Sequence, residues 1–224
     1  MRLSRPLFAA ATLAVAALSA APASAKIIEV GRTDAAPACP ASPCLALSRT
    51  TGYQVKVGDT RGAFTIPADG QLVAWSIALG TPTKKQINFF DKGLGGPSSA
   101  GITLLRPGKH VFSRVMAAGP IAQLQPYFGQ TVQFPLTTSI PVKKGWVVAL
   151  TVPTWAPALT PLLTDHSAWR ASRPAKKCSD TATQTAQLNR LDLAQYNCLY
   201  KARLTYSATL ITNPAPTKPA SGGR

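Results

Sequence analysis

A chain of 224 residues with 24 Lys and Arg against 8 Asp and Glu carries a formal charge of +16, and it holds only two histidines and four cysteines. That inventory excludes an acidic calcium binder and leaves few groups for acid–base or metal chemistry. Twenty prolines and sixteen glycines recur too often for long helices, which excludes a helical bundle.

MRLSRPLFAAATLAVAALSAAPASA opens with Arg2 and Arg5, runs through an Ala/Leu/Val stretch from Leu7 to Ala20, and closes on Ala23-Ser24-Ala25. This is the pattern of a secretory signal peptide, and its apolar run is short of the ~20 residues that a membrane span needs. Residues 1–25 are therefore expected to be cleaved and the product to be secreted to an extracellular setting, with no transmembrane segment in the mature chain. The 24 basic residues less Arg2 and Arg5 leave 22 against 8 acidic ones, so the mature protein carries +14. Cys39, Cys44, Cys178 and Cys198 form an even set in an oxidising compartment, where disulfides are the rule. Local pairing, Cys39–Cys44 and Cys178–Cys198, is expected, each bridge closing a loop that lacks core residues. The Cys-x4-Cys spacing has no histidine near it, and zinc is not expected.

Strand patterns follow in order. GYQVKV alternates through Tyr53, Val55 and Val57, and GDTRG and Pro67-Ala68-Asp69-Gly70 read as turns. DGQLVAWSIAL predicts a strand with Val73, Trp75, Ile77 and Leu79 on its core face. No clear amphipathic helix is read after it, and Gly93-Leu94-Gly95-Gly96 with GPSSAG reads as a flexible surface loop. Pro107-Gly108 fits a type II turn joining GITLL to HVFSRV, with His110 in the second strand. In TVQFPL, Pro135 lacks an amide hydrogen, which predicts an edge strand or a bulge. Lys143-Lys144-Gly145 turns the chain into a central strand, apolar on both faces. Trp146 is read as a core residue of that strand and Pro153 as its end. Trp155 then falls in a loop, as a plug over one end of the fold or as an exposed stacking platform. Ser179 to Asn197 reads as a long stapled loop with room for a short helix. In CLYKARLTYSATLIT, Cys198, Tyr200, Ala202, Leu204, Tyr206, Ala208 and Leu210 alternate with a wet face of Lys201, Arg203, Thr205, Ser207 and Thr209.

Short strands with frequent turns predict an all-β fold, an antiparallel β-sandwich of jelly-roll type with a disulfide-stapled loop. Residues 26–212 would form one domain, and 213–224 a disordered Pro-rich tail. The segments TIPADGQLVAWSIALG, GITLLRPGK and VQFPLTTSIPVKKGWVVALTV resemble a pattern in uncharacterised secreted β-sandwich proteins of high-GC Gram-positive bacteria. The resemblance runs from Arg61 to Pro153. It implies a jelly-roll-like fold and brings no known activity and no catalytic residue.

Glycoside hydrolysis needs two carboxylates ~5–10 Å apart, whereas Glu29 lies near the mature N-terminus, where order is poorest, and Asp34, Asp59, Asp69, Asp91, Asp165, Asp180 and Asp192 are scattered. His166 directly follows Asp165, and neighbours in a strand point to opposite faces. No enzyme activity and no cofactor are expected. What remains is charge. Arg170, Arg173, Lys176 and Lys177 cluster in WRASRPAKKC, and the Cys178–Cys198 bridge would bring them to Lys201 and Arg203, gathering six cations at one end of the sandwich. Export argues against nucleic acid as the partner. The expected function is a secreted, non-catalytic protein that binds anionic cell-envelope polymers or polysaccharide. The alternatives are a structural sandwich that packs against other proteins, or a carbohydrate-binding module using Trp155 and Trp169. Oligomeric state is left open.

Overall fold

The computed structural model describes residues 24–31, 45–161, 166–180 and 185–214. Most of the expected signal peptide, the expected Cys39–Cys44 bridge, Asp34, Asp165 and the residues beyond 214 lie outside the described residues. In chain order the strands are β1 (Ile27–Val30), β2 (Leu45–Val57), β3 (Thr60–Arg61), β4 (Gly70–Ala78), β5 (Ser99–Pro107), β6 (Phe112–Ala118) and β7 (Ala122–Gln123). They continue with β8 (Thr131–Val142), β9 (Val147–Pro161), β10 (Ala168–Ala171), β11 (Leu193–Gln195), β12 (Cys198–Tyr200), β13 (Ala202–Leu204) and β14 (Tyr206–Thr212). A helix, α1 (Lys84–Gly93), follows β4.

The strands form two antiparallel sheets, one ordered β1-β14-β4-β8 and the other β11-β6-β5-β9-β2-β10-β12, with β3, β7 and β13 attached to β2, β5 and β9. The chain passes back and forth between the sheets, and the first and last strands of the described residues pair, giving a jelly-roll-like sandwich. Leu72, Trp75 and Ile77 of β4 and Leu210 of β14 share the core with Ile102 and Leu104 of β5 and Val148 and Leu150 of β9. Burying side chains of this size stabilises by about 1.5–3 kcal/mol each, so this layer holds the sheets together. Tyr206 also crosses it: its ring lies 4.6 Å from Phe64 and its hydroxyl donates to the Val148 carbonyl at 2.9 Å.

The large sheet is covered on its other face too. There the Thr51 and Thr103 hydroxyls both meet that of Thr151, at 2.9 and 2.6 Å, and Gln187 N–H donates to Thr51 Oγ1. Tyr196, fully buried, packs 5.4 Å from Tyr53. The expectation that the segment before Cys198 lacks core residues is therefore corrected: Tyr196 is one, and Leu193–Gln195 pairs with β6 as a strand. A central strand covered on two sides needs two apolar faces, which explains the pattern of β9.

Among the described residues β8 pairs with β4 alone, so of the two expectations for Pro135, an edge strand or a bulge, the edge strand is met. Other local readings change. Pro153 does not end β9, which runs to Pro161. Its pairing with β2 slips register between Ser48 and Thr50 and again between Leu45 and Leu47, and Pro153 and Pro157 fall within the resulting bulges of β9, where the ladder does not need their missing amide hydrogens. Trp146 precedes the strand and is half-buried rather than fully buried. A bulge at Val73, skipped by both neighbours of β4, turns Val73 outward and puts Leu72 into the core beside Trp75.

The hairpin between β5 and β6 is not a type II Pro-Gly turn. Gly108 is extended (φ −127°) and the left-handed residues are His110 and Val111, so His110 lies in the turn itself. Glu29 is ordered in β1, its carboxylate accepting from the Ser207 and Thr209 hydroxyls. CLYKARLTYSATLIT is three strands, not one. β13 belongs to the large sheet and β14 to the small one, and the chain crosses at Thr205, whose N–H donates to Ala158 and whose hydroxyl donates to Ala78. Arg203, Thr205 and Ser207 are buried there, so the alternation has no wet face along this stretch.

Candidate functional site

The expected basic site lies where β10 and β12 pair, Trp169 opposite Tyr200 and Ala171 opposite Cys198. The Cys178–Cys198 bridge is present, with Cα atoms 5.3 Å apart. Trp169 is 3% exposed and stacks on Tyr200 at 4.8 Å. The Arg173 guanidinium lies over the Tyr200 ring, 5.4 Å from its centre, and donates to the Tyr200 hydroxyl. Both Arg173 and the Tyr200 hydroxyl donate to the Cys178 carbonyl, at 3.2 and 2.6 Å. Gly52 makes room for the indole: a Cβ there would meet the Trp169 ring at 2.7 Å.

This geometry divides the six cations. Arg170 is half-buried and donates to the Tyr196 and Asn197 carbonyls at 3.1 Å, Arg173 is 7% exposed, and Arg203 is 4% exposed with a bond to the Gly31 carbonyl. The expectation of one patch of six is corrected: these three arginines fasten backbone segments together, because the planar guanidinium can satisfy several carbonyls at once where a turn leaves them without ladder partners. Lys176, Lys177 and Lys201 are exposed. They flank the bridged Cys178 and Cys198 in sequence, and Lys177 reaches Asp180 at 3.5 Å. Of the six expected cations, these three lysines are the exposed ones beside the stapled segment.

Neither tryptophan offers an open face. Trp155 is a strand residue, fully buried, with Phe90 and Phe128 at 4.9 and 5.5 Å. Its indole N–H donates to Asp91 Oδ1 at 2.8 Å, and Gln125 holds the other oxygen of that carboxylate. It closes one end of the sandwich beneath α1, so a stacking platform is excluded at Trp155 as it is at Trp169. The supposed loop after α1 is also tied in: Ser98 and Ser99 are buried and bond to Trp155 O and the Thr154 hydroxyl.

Sequence reasoning missed α1 and the polar apex under it. Thr83 and Gln86 form a full capping box, a Thr-x-x-Gln signal that was present in the chain. Among the described residues, no three His, Cys, Asp or Glu side chains converge as metal ligands would, and no helix is long and apolar enough to cross a membrane. No protein-family model matches the sequence, and no curated protein or solved structure matches it.

Proposed function

We propose that the protein is a secreted, non-catalytic binder of anionic cell-envelope polymers, held through Lys176, Lys177 and Lys201 at the stapled end. The observation that carries this reading is an excess of surface cations that the protein's own acids leave unneutralised. Basic residues outnumber acidic ones 22 to 8 once the leader's two arginines are set aside, and the described residues form three ion pairs, all of them exposed on at least one side. Such a surface attracts polyanions at long range and loses them as salt shortens the Debye length. The leader-like N-terminus supports secretion, and the disulfide suits an oxidising compartment.

The test is retention on wall teichoic acid or heparin resin, with a variant in which Lys176, Lys177 and Lys201 are all glutamine. Earlier elution of the variant supports the site. Equal elution salt removes the stapled end as the site, and no retention of either protein favours a structural sandwich that packs against other proteins.

A further inference from the structure

A second surface, far from the stapled lysines in the strand order, combines charge with exposed apolar side chains. At the β11 end of the large sheet, β11 pairs with β6 and β6 with β5, aligning Leu193, Arg114 and Arg106 as direct neighbours across three strands. Residues directly opposite one another project to the same face. Ser113 and Val115, on the other face of β6, are buried, so the Leu193–Arg114–Arg106 row looks outward. Two like charges opposed across a ladder repel, yet neither arginine takes part in the three ion pairs of the described residues. Arg114 does donate to the Leu191 carbonyl at 3.0 Å. Lys109, His110 and Arg190 stand exposed around the row. The adjacent acid, Asp192, has its carboxylate on the Asn189 N–H.

The apolar half of the surface is as marked. Leu191 is 50% exposed, Leu193 53% and Phe112 39%. Phe112 lies opposite Gln195 and diagonal to Leu193 in the same ladder, and Leu191 is tied to Val115 by a backbone bond, so the three follow one another along the β6–β11 edge. Three non-glycine residues with left-handed backbone, His110, Val111 and Leu191, lie in the two turns that present them. For a β-branched residue such as Val111 this conformation is costly, and it is held by the buried Tyr196, whose N–H binds the Val111 carbonyl.

From this arrangement we infer that the β5–β6–β11 edge seats on an anionic phospholipid surface, the arginines meeting headgroup phosphates and Leu191, Leu193 and Phe112 entering the headgroup boundary. The match is one of chemistry. A dissolved polyanion would use the cations and leave the leucines in water, whereas a charged bilayer takes both. The inference rests on the reading of the protein as facing an anionic envelope, and it names a different face from the stapled lysines.

The experiment is co-sedimentation of the purified protein with vesicles of phosphatidylglycerol and phosphatidylcholine, against phosphatidylcholine alone. Two double variants are compared, Arg106→Gln with Arg114→Gln, and Leu191→Asn with Leu193→Thr, the latter chosen to suit a left-handed turn and a strand. The expected result is binding to the anionic vesicles only, reduced at least tenfold in each double variant, while retention on heparin still follows the stapled lysines. Wild-type binding in both double variants overturns the inference. So does heparin retention with no vesicle binding, which assigns the anion to a polymer. Self-association of the arginine variant without vesicle binding by the wild type also overturns it, and makes these charges guards of an open sheet edge. Loss of heparin retention with vesicle binding intact would sink the polymer reading alone.

Discussion

Arg203 stands where period-two alternation places a solvated side chain, yet it is 4% exposed, donates to the Gly31 carbonyl at 3.2 Å and lies 5.9 Å from the centre of the Phe64 ring. Lys201, two residues earlier and of like charge, is exposed. The two therefore separate stability from binding. Arg203→Ala is expected to lower unfolding free energy by about 1–3 kcal/mol, since a buried carbonyl loses its donor, with heparin elution little changed. Lys201→Gln should leave the urea midpoint in place and elute earlier. Trp155 makes the same point about burial: Trp155→Ala should cost about 3–5 kcal/mol, as much as a core residue, because α1 covers it. A thermal melt equal to wild type for Trp155→Ala would contradict the packing described.

At the scale of elements, α1 shows why a short helix escapes notice. Its ten residues have no fully buried side chain, and Pro82 before it and the glycines after it read as loop punctuation. Only the Thr83–Gln86 box marks its start. Thr83→Ala is expected to cost about 0.5–2 kcal/mol, felt as faster hydrogen exchange across Lys84–Gly93 and an increase in tryptophan quenching at Trp155, with exchange in β9 and β2 unchanged. Uniform acceleration over the whole sandwich would mean that α1 is part of the global cooperative unit. The strands were more legible. β4, β8 and β9 carry enough alternation or apolar length to be seen, but their ends and faces depend on bulges at Val73 and at Pro153–Thr154 opposite Arg49, and a bulge leaves no mark in an apolar pattern until the partner strand is known.

For the whole molecule, the Cys178–Cys198 bridge closes a separation of 20 residues. Chain entropy gives it about 3 kcal/mol, so reduction should lower the urea midpoint and first expose Tyr196, which the bridged segment holds on the sheet. Alkaline pH offers a second probe. Burial, the first cause at both, holds the Tyr196 and Tyr206 hydroxyls well above the ordinary tyrosine value. At Tyr196 the neighbouring Tyr53 and Asp192 add to the rise. The unfolded chain gives up these protons from about pH 10 while the native fold keeps them, so their contribution is full below that pH and is lost above it. Tyrosinate absorbance should accordingly show a subset of the five tyrosines ionising only as the protein unfolds. Complete ionisation of all five in still-folded protein would contradict the burial.

The sequence by itself determined the class of fold, the charge and the Cys178–Cys198 pairing, and narrowed β8 to an edge strand or a bulge, because each follows from local chemistry: strand periodicity, residue counts, proximity along the chain and the missing amide of Pro135. Only the tertiary structure decided which cations face water. Arg170, Arg173 and Arg203 read like the lysines beside them, and they became internal fasteners where β10, β12 and β13 meet and bare carbonyls had to be met in the absence of solvent. Likewise, nothing local joins Arg106 to Arg114 and Leu193. Their alignment is a matter of register between three strands, and register is set by what the opposite face of each strand must bury.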